Sequence, residues 1–539
     1  MKRNLIIILL GTGLLGVSLM SCNKNKIITP NDAVTSAQVY STAAGYKQAL
    51  AKVYGSFALT GNTGPSGSGD VQGIDEGTSD FFRLFWCAQE LPTDEAVIAW
   101  GDPGVPDFHV MNWSSSNPIL TGLYYRSLYQ ITLCNDFIRQ ASDANLSSHG
   151  ISGADVTNIH YYVAEARFLR AYQYWVLMDL FGNPPFVTDA TVVGSTIPAQ
   201  TTRAVLFTYV ESELKTIGGS LAAPLTNEYG RADQAAAWAL LARLYLNAGV
   251  YTGTPRYTDA ITYAQKVIAA GYTLIPKYDN LMLADNNVGN TEAIMTINYD
   301  GAKTQGYGGT TFLKNAQLGG SMPTPLYGTN QKWAGIRVTK NIVNLFPAPQ
   351  DTSLTYFPNN KNIDTRAEFW TRGQSLDIND VTSFTDGYAV NKFRNVTATG
   401  ATGTDLTYSD IDMPLFRLSE MYLIYAEAVL RGGTGGDNVT ALNYINKIRT
   451  RAYGSIAGNI TSAQLTTSFI LDERARELYW EGLRRTDLIR YDQFTTATYV
   501  WPFKGGVKAG TGVASYRNLY PIPDQDRAVN PNLKQNTGY

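Results

Sequence analysis

The chain has 539 residues, enough to bury one large core or two to three smaller ones, which excludes a small scaffold that depends on staples. Its 43 Lys and Arg nearly balance 45 Asp and Glu, so it has no cationic excess to neutralise a phosphate backbone, and no nucleic-acid partner is expected. Charged residues make up only 16%, so Asn, Thr, Ser, Gly and Tyr must wet much of the surface, as in many exported proteins.

Lys2 and Arg3 form a positive start, and Leu5 to Met20 is apolar but broken by Gly11, Gly13 and Gly16. This stretch is too short to span a bilayer comfortably and reads as a cleaved export signal over 1–21. It ends in Leu19-Met20-Ser21-Cys22, which resembles the lipobox of bacterial lipoproteins, where the Cys is acylated and becomes the new N-terminus. Residues 22–36 then form a lipidated tether poor in apolar residues. Cys87 and Cys134 are expected as two buried thiols, because two cysteines cannot make a disulfide framework.

Residues 37–279 read as a helical region, with a Gly-rich binding loop inside 61–113. Ile119 to Arg139 and Asn158 to Phe181 carry apolar residues at spacings of three and four, and Gly182-Asn183-Pro184-Pro185 stops the second. Ala235 to Gly271 reads as a helix pair. Trp238, Leu241, Ala242, Tyr245 and Ala248 fall on one face, and Ala260, Ala264, Val267 and Ile268 fall on the facing one. That alternation of large and small side chains lets two antiparallel helices approach closely and resembles a tetratricopeptide unit. The region 280–410 has little helical period, many Gly, Asn, Thr and Pro, and isolated aromatics. It is predicted as an irregular lobe with short strands. Residues 411–539 return to helices, with a pair over Pro414 to Tyr453, a single Glu/Arg-laced helix over Ile470 to Tyr491, and a closing segment. Two helix pairs so far apart in sequence are not expected to form one continuous array.

The chain carries little sign of catalytic chemistry. His109, His149 and His160 lack any metal-binding spacing, and no nucleophile elbow, dinucleotide fingerprint or phosphate loop is present. Carboxyls deserve weighing because a glycosidase needs only two. Glu90-Leu91-Pro92-Thr93-Asp94-Glu95 concentrates three, and Asp300 and Asp386 sit among Gly and aromatics; a surface glycoside hydrolase would use Asp94, Glu95 or Asp300. The plainer reading is that they are solvated or hydrogen-bonded loop carboxylates, and that the 472–490 segment is an internal ion-pair lattice.

Several motifs together resemble the SusD/RagB family of outer-membrane nutrient-binding lipoproteins, closest to its starch-binding type. They are the Glu90–Glu95 motif, AEARFLRAYQYWVLMDLFGNPPF from Ala164, GRADQAAAWALLARLYLNAGVYTG from Gly230, SFTDGYAVNKF from Ser383, MPLFRLSEMYLIYAEA from Met413, LDERARELYWEGLRRTDLIRY from Leu471, and the closing YPIPDQDRAVNPNLKQNTGY. The resemblance implies a mainly α fold, with a tetratricopeptide-repeat scaffold carrying an irregular, loop-rich lobe. It also implies a non-catalytic role at the outer membrane: a lipid-anchored, outward-facing protein that captures glycan, most simply starch or another α-glucan, for a SusC-like TonB-dependent transporter. RagB-like members of the family imply peptide capture as the alternative.

Residue by residue, the resemblance assigns the glycan site to Arg83 and to an aromatic arc of Trp100, Tyr307 and Trp333. Asp102 is expected in the same site, replacing an amide hydrogen-bonding partner that is lost here to Pro103. No cofactor is implied as required. Calcium is the single candidate ion, and the acidic loop around Asp285 is shorter than in the starch-binding type.

Overall fold

The computed structural model describes residues 35–539 except 66, 68, 193, 195, 349 and 351–361. The signal segment, Cys22 and nearly all of the tether lie outside the described residues. Long helices dominate, and among the described residues the strands form three antiparallel two-stranded ribbons. These join Val97–Ile98 to Ile336–Arg337, Ala293–Ile297 to Met413–Arg417, and Phe369–Trp370 to Ala389–Val390.

The predicted long helices form with local chemistry that explains their ends. Pro118–Gln140 begins at Asn117, whose Oδ1 accepts the Ile119 and Leu120 N–H groups at 3.0 and 3.1 Å, and Pro118 occupies the position where a missing N–H costs nothing. Ala154–Leu180 runs until Gly182, which adopts φ +75°. Gln234–Leu246 is capped by Asp233, whose Oδ1 accepts Ala236 N–H at 3.0 Å, and it packs on Tyr257–Ile268. Leu241, Ala242, Tyr245, Ala248, Ala260, Ala264 and Val267 are all buried, while Trp238 and Ile268 are only partly covered.

Three expectations change. The two helix pairs, separated by about 150 residues, join into one continuous array, because Tyr257–Ile268 packs directly on Leu418–Leu430. Buried Arg243 clamps Glu420 across this junction with bonds of 2.8 and 2.7 Å, and Gly433 fits only because a Cβ there would lie 2.7 Å from Ile261. The 280–410 lobe is therefore looped out of the array. Secondly, Met413–Arg417 is a bulged strand paired with Ala293–Ile297, so the helix starts only at Leu418.

Thirdly, Ile470 to Tyr491 is two helices, Thr467–Leu478 and Arg484–Arg490. Between them Trp480 and Gly482 take φ of +64° and +81°. The carboxylates of the 90–95 motif stabilise the break: Glu90 accepts Gly482 and Leu483 N–H at 2.6 and 3.0 Å, and Glu95 accepts Trp480 N–H at 3.1 Å. The acidic motif is thus buried and structural. Asp94 is clamped by Arg484 at 2.8 and 2.7 Å and also accepts the Tyr499 hydroxyl at 2.6 Å.

The Glu/Arg lattice is internal, as read from the sequence. Arg417 bridges Glu292 at 2.9 Å, Glu477 at 2.5 Å and Glu481 at 2.7 Å, and Arg366 bridges Asp364 at 2.7 Å and Glu473 at 2.8 Å, all at buried side chains. Cys87 and Cys134 are free and buried, and burial pushes both thiols up to about 12.

Candidate functional site

Arg83, Trp100, Tyr307 and Trp333 come from distant parts of the chain and meet at one half-buried patch. Arg83 sits in the first turn of Phe81–Glu90, whose cap is Asp80; Asp80 Oδ1 accepts Arg83 N–H at 2.9 Å. The Arg83 Nη1 donates to the carbonyls of Gly77 at 2.9 Å and Tyr307 at 3.0 Å, tying the glycine-rich loop to the irregular lobe. Its Nε and Nη2 have no protein acceptor among the described residues. The guanidinium lies 4.7 Å from the centre of the Phe312 ring and 5.7 Å from that of Trp100, an arrangement favourable to a cation on aromatic faces. Burial lowers its pKa, opposed by the fields of Cys87, Asp80, Asp102 and Asp75, but an arginine stays charged at any physiological pH.

The rings form a run. Trp100 and Trp333 have centroids 6.3 Å apart, Trp333 and Tyr307 6.1 Å, and Tyr307 and Tyr408 5.9 Å. Trp100 is held from both sides: its Nε1–H donates to the Trp333 carbonyl at 3.0 Å, and a Cβ at Gly335 would fall 2.7 Å from its ring. Tyr307 lies against Gly77. Asp102 is exposed beside this patch and acts on Arg83 only through its field, without a direct ion pair.

Tyr408 is a fourth ring that sequence reading missed. It lies near the end of the irregular lobe, in a stretch with no helical period, where its neighbours in space could not be read. Its phenol is pushed up to about 12 by burial and by hydrogen bonding to Tyr307.

The short helix Gly309–Ala316 organises the patch from beneath. At its first residue, Gly309 N–H donates to Asp80 at 2.7 Å, and fully buried Phe312 forms the floor under Arg83 and Trp100. Lys314 donates to the Thr407 carbonyl at 3.0 Å and to those of Leu406 and Tyr408 at 3.4 Å, holding the Tyr408 loop. Burial pushes its ammonium down to about 7. The Asn315 and Ala316 carbonyls accept Trp333 and Gly335 N–H at 3.0 and 2.8 Å. One helix therefore supports Trp100, Trp333 and the Tyr408 loop.

The other candidates are placed elsewhere. Asp94 and Glu95 are locked in the interior, and half-buried Asp300 pairs with Lys303 at 2.9 Å. Both Asp285 carboxylate oxygens accept the Ala398 N–H at 3.0 Å. Among the described residues no three His, Cys, Asp or Glu side chains are grouped so as to hold a metal ion, and no helix is long and apolar enough to cross a membrane.

Comparison with known proteins agrees with this architecture. A family model described as "SusD family" matches residues 358–539, and one described as "Starch-binding associating with outer membrane" matches residues 107–246. The starch-binding protein SusD of Bacteroides thetaiotaomicron is 36% identical over 558 aligned residues, covering 96% of each chain. SusD-like protein P2 of Formosa agariphila is 27% identical over 73% of this chain and 77% of its own. Among solved structures, surface glycan-binding protein A from Bacteroides thetaiotaomicron in complex with laminarihexaose superposes with a TM-score of 0.67 at 20% identity, covering 92% of this chain and 99% of that one. A SusD superfamily protein from Parabacteroides distasonis gives 0.69 at 19% identity, over 94% and 100%. With a relative more than one-third identical along nearly its whole length, the chain belongs to the SusD family.

Proposed function

We propose that this protein captures glycan, an α-glucan by preference, on the Arg83–Trp100–Trp333–Tyr307 patch and passes it to a TonB-dependent outer-membrane transporter. The observation that carries the reading is the run of partly exposed rings beside a guanidinium with two unused N–H bearing nitrogens. Sugar rings present CH-rich faces that stack on aromatic surfaces, and their hydroxyls take up donors such as Arg83 Nε and Nη2. Tyr408 extends the run and contacts the next sugar unit.

The starch-binding relative and the laminarihexaose-bound neighbour support a carbohydrate ligand over a peptide. Capture without cleavage is supported by the acids themselves, since Asp94 and Glu95 are enclosed in structural pairs. A lipid on Cys22 would hold the body at the outer membrane, in line with the family description that matches residues 107–246.

A glycan array probed with the wild-type protein tests this directly. Selective retention of α-glucans, with no reducing sugar released on prolonged incubation, is expected. A blank array together with co-purifying peptides would reject the reading.

A further inference from the structure

The Val97–Ile98/Ile336–Arg337 ribbon has two ends. At one end its chains continue into Trp100 and, on the other strand, lead back to Gly335 and Trp333, where Ala99 N–H donates to the Gly335 carbonyl at 2.9 Å. At the other end, Thr339 donates its hydroxyl to the Asp94 carbonyl, and Asp94 holds Tyr499. Beyond that end opens a groove of about 1050 Å³, walled by Lys340, Asn341, Asn344, Asp472, Tyr499 and Trp501. None of the residues of the aromatic patch lines it.

The groove presents polar groups that the protein leaves unused. The half-buried Asp472 carboxylate accepts no hydrogen bond and pairs with no cation among the described residues, although it lies in the fields of Arg476 and Arg484. The exposed Asn344 amide is likewise without a partner. Trp501 is 2% exposed, and its enclosed Nε1–H has no acceptor among the described residues. A buried donor without an acceptor is uncommon in folded proteins.

The formal charges of the groove cancel. Lys340 is neutralised by Asp377 at 2.9 Å, and Lys508, bonded to Asn379 at 2.8 Å, offsets Asp472. A net-neutral concavity offering a carboxylate, an amide and aromatic edges suits a neutral polyhydroxylated ligand, whose hydroxyls both donate and accept.

We propose that this groove is a second saccharide subsite that engages the same polymer as the aromatic patch; the inference rests on the glycan-binding reading above. Trp333 and Lys340 are seven residues apart, so at most about 25 Å of chain separates the two sites. A polymer spanning both sites gains avidity from their effective concentration, whereas a trisaccharide does not.

The test is retention of the full-length, detergent-solubilised chain on amylopectin, with maltotriose titrated in parallel. Asn344→Trp, which fills the groove from an exposed position, and Asp472→Ala are both expected to weaken amylopectin binding about tenfold or more. Maltotriose binding at the aromatic patch should stay within about twofold of wild type, and Trp333→Ala should lose both. Should both groove variants retain amylopectin as the wild type does while Trp333→Ala loses it, the second subsite is wrong and the primary site stands. A wild-type chain that ignores amylopectin and maltotriose alike overturns the glycan reading, and this inference with it.

Discussion

The Asp80 carboxylate holds Gly309, 229 residues further along the chain, by an N–H···O bond of 2.7 Å, and the same oxygen caps the helix that carries Arg83. There is room for this contact only because residue 308 is glycine; a Cβ there would lie 1.9 Å from Asp80. One carboxylate thus sets the guanidinium against the loop that presents Tyr307.

Burial raises the Asp80 carboxyl to about 6, against the pull of N–H bonds from Arg83 and Gly309. With the folded pKa above the unfolded one, the native state takes up the proton first. The cost of burying the charge is present above about pH 6 and is relieved as pH falls toward the unfolded value. Asp80→Asn keeps the acceptor and removes the titration. It should be at least as stable as wild type at pH 7.5, and that advantage should shrink by up to about 3 kcal/mol by pH 4. Urea melts of both proteins across this range check it, and a pH-independent difference would contradict it.

Gly335→Ala places a methyl group 2.7 Å from the Trp100 ring, which must then turn. The fold should survive, since Trp100 is only half-buried, but glucan affinity should fall by about 1 kcal/mol, or roughly fivefold. Calorimetric titration alongside a thermal melt separates the two effects.

Glu477 is buried among Arg417 at 2.5 Å, Arg366 at 3.2 Å and Arg451. Burial opposes its charge, but the three guanidiniums prevail and hold its carboxyl far below the usual range. The stabilisation is therefore full above the unfolded carboxyl value and is lost as pH falls below it. Glu477→Gln leaves these arginines under-compensated and should cost about 3–5 kcal/mol in denaturant unfolding at pH 7. Glucan affinity of the folded fraction should not change.

Glu90→Ala strips the acceptor from the Gly482 and Leu483 N–H groups. The expected loss is about 1–3 kcal/mol per orphaned buried donor, with no change in any hydrolytic readout. A loss of measurable glycan cleavage in this variant would return the acidic motif to a catalytic role.

The long helices and the internal lattice were legible because a helical period and interleaved Glu and Arg are local signals. The break at 480–482 was not, because it depends on Glu90 and Glu95, nearly 400 residues away. Met413–Arg417 is a strand because it pairs with Ala293–Ile297, some 120 residues earlier, a pairing that no local pattern announces. Arg83, Trp100, Tyr307 and Trp333 came from motif resemblance, and their meeting is visible only in three dimensions. Tyr408 had no motif, and its place follows from Lys314, which fastens its loop from a helix 90 residues earlier.

The most direct test is calorimetric titration of maltoheptaose into wild-type protein and into Trp100→Ala/Trp333→Ala. Binding by the wild type, with at least a tenfold loss in a double variant that still melts cooperatively well above the titration temperature, is the predicted result. Equal affinity in the two proteins would contradict the account.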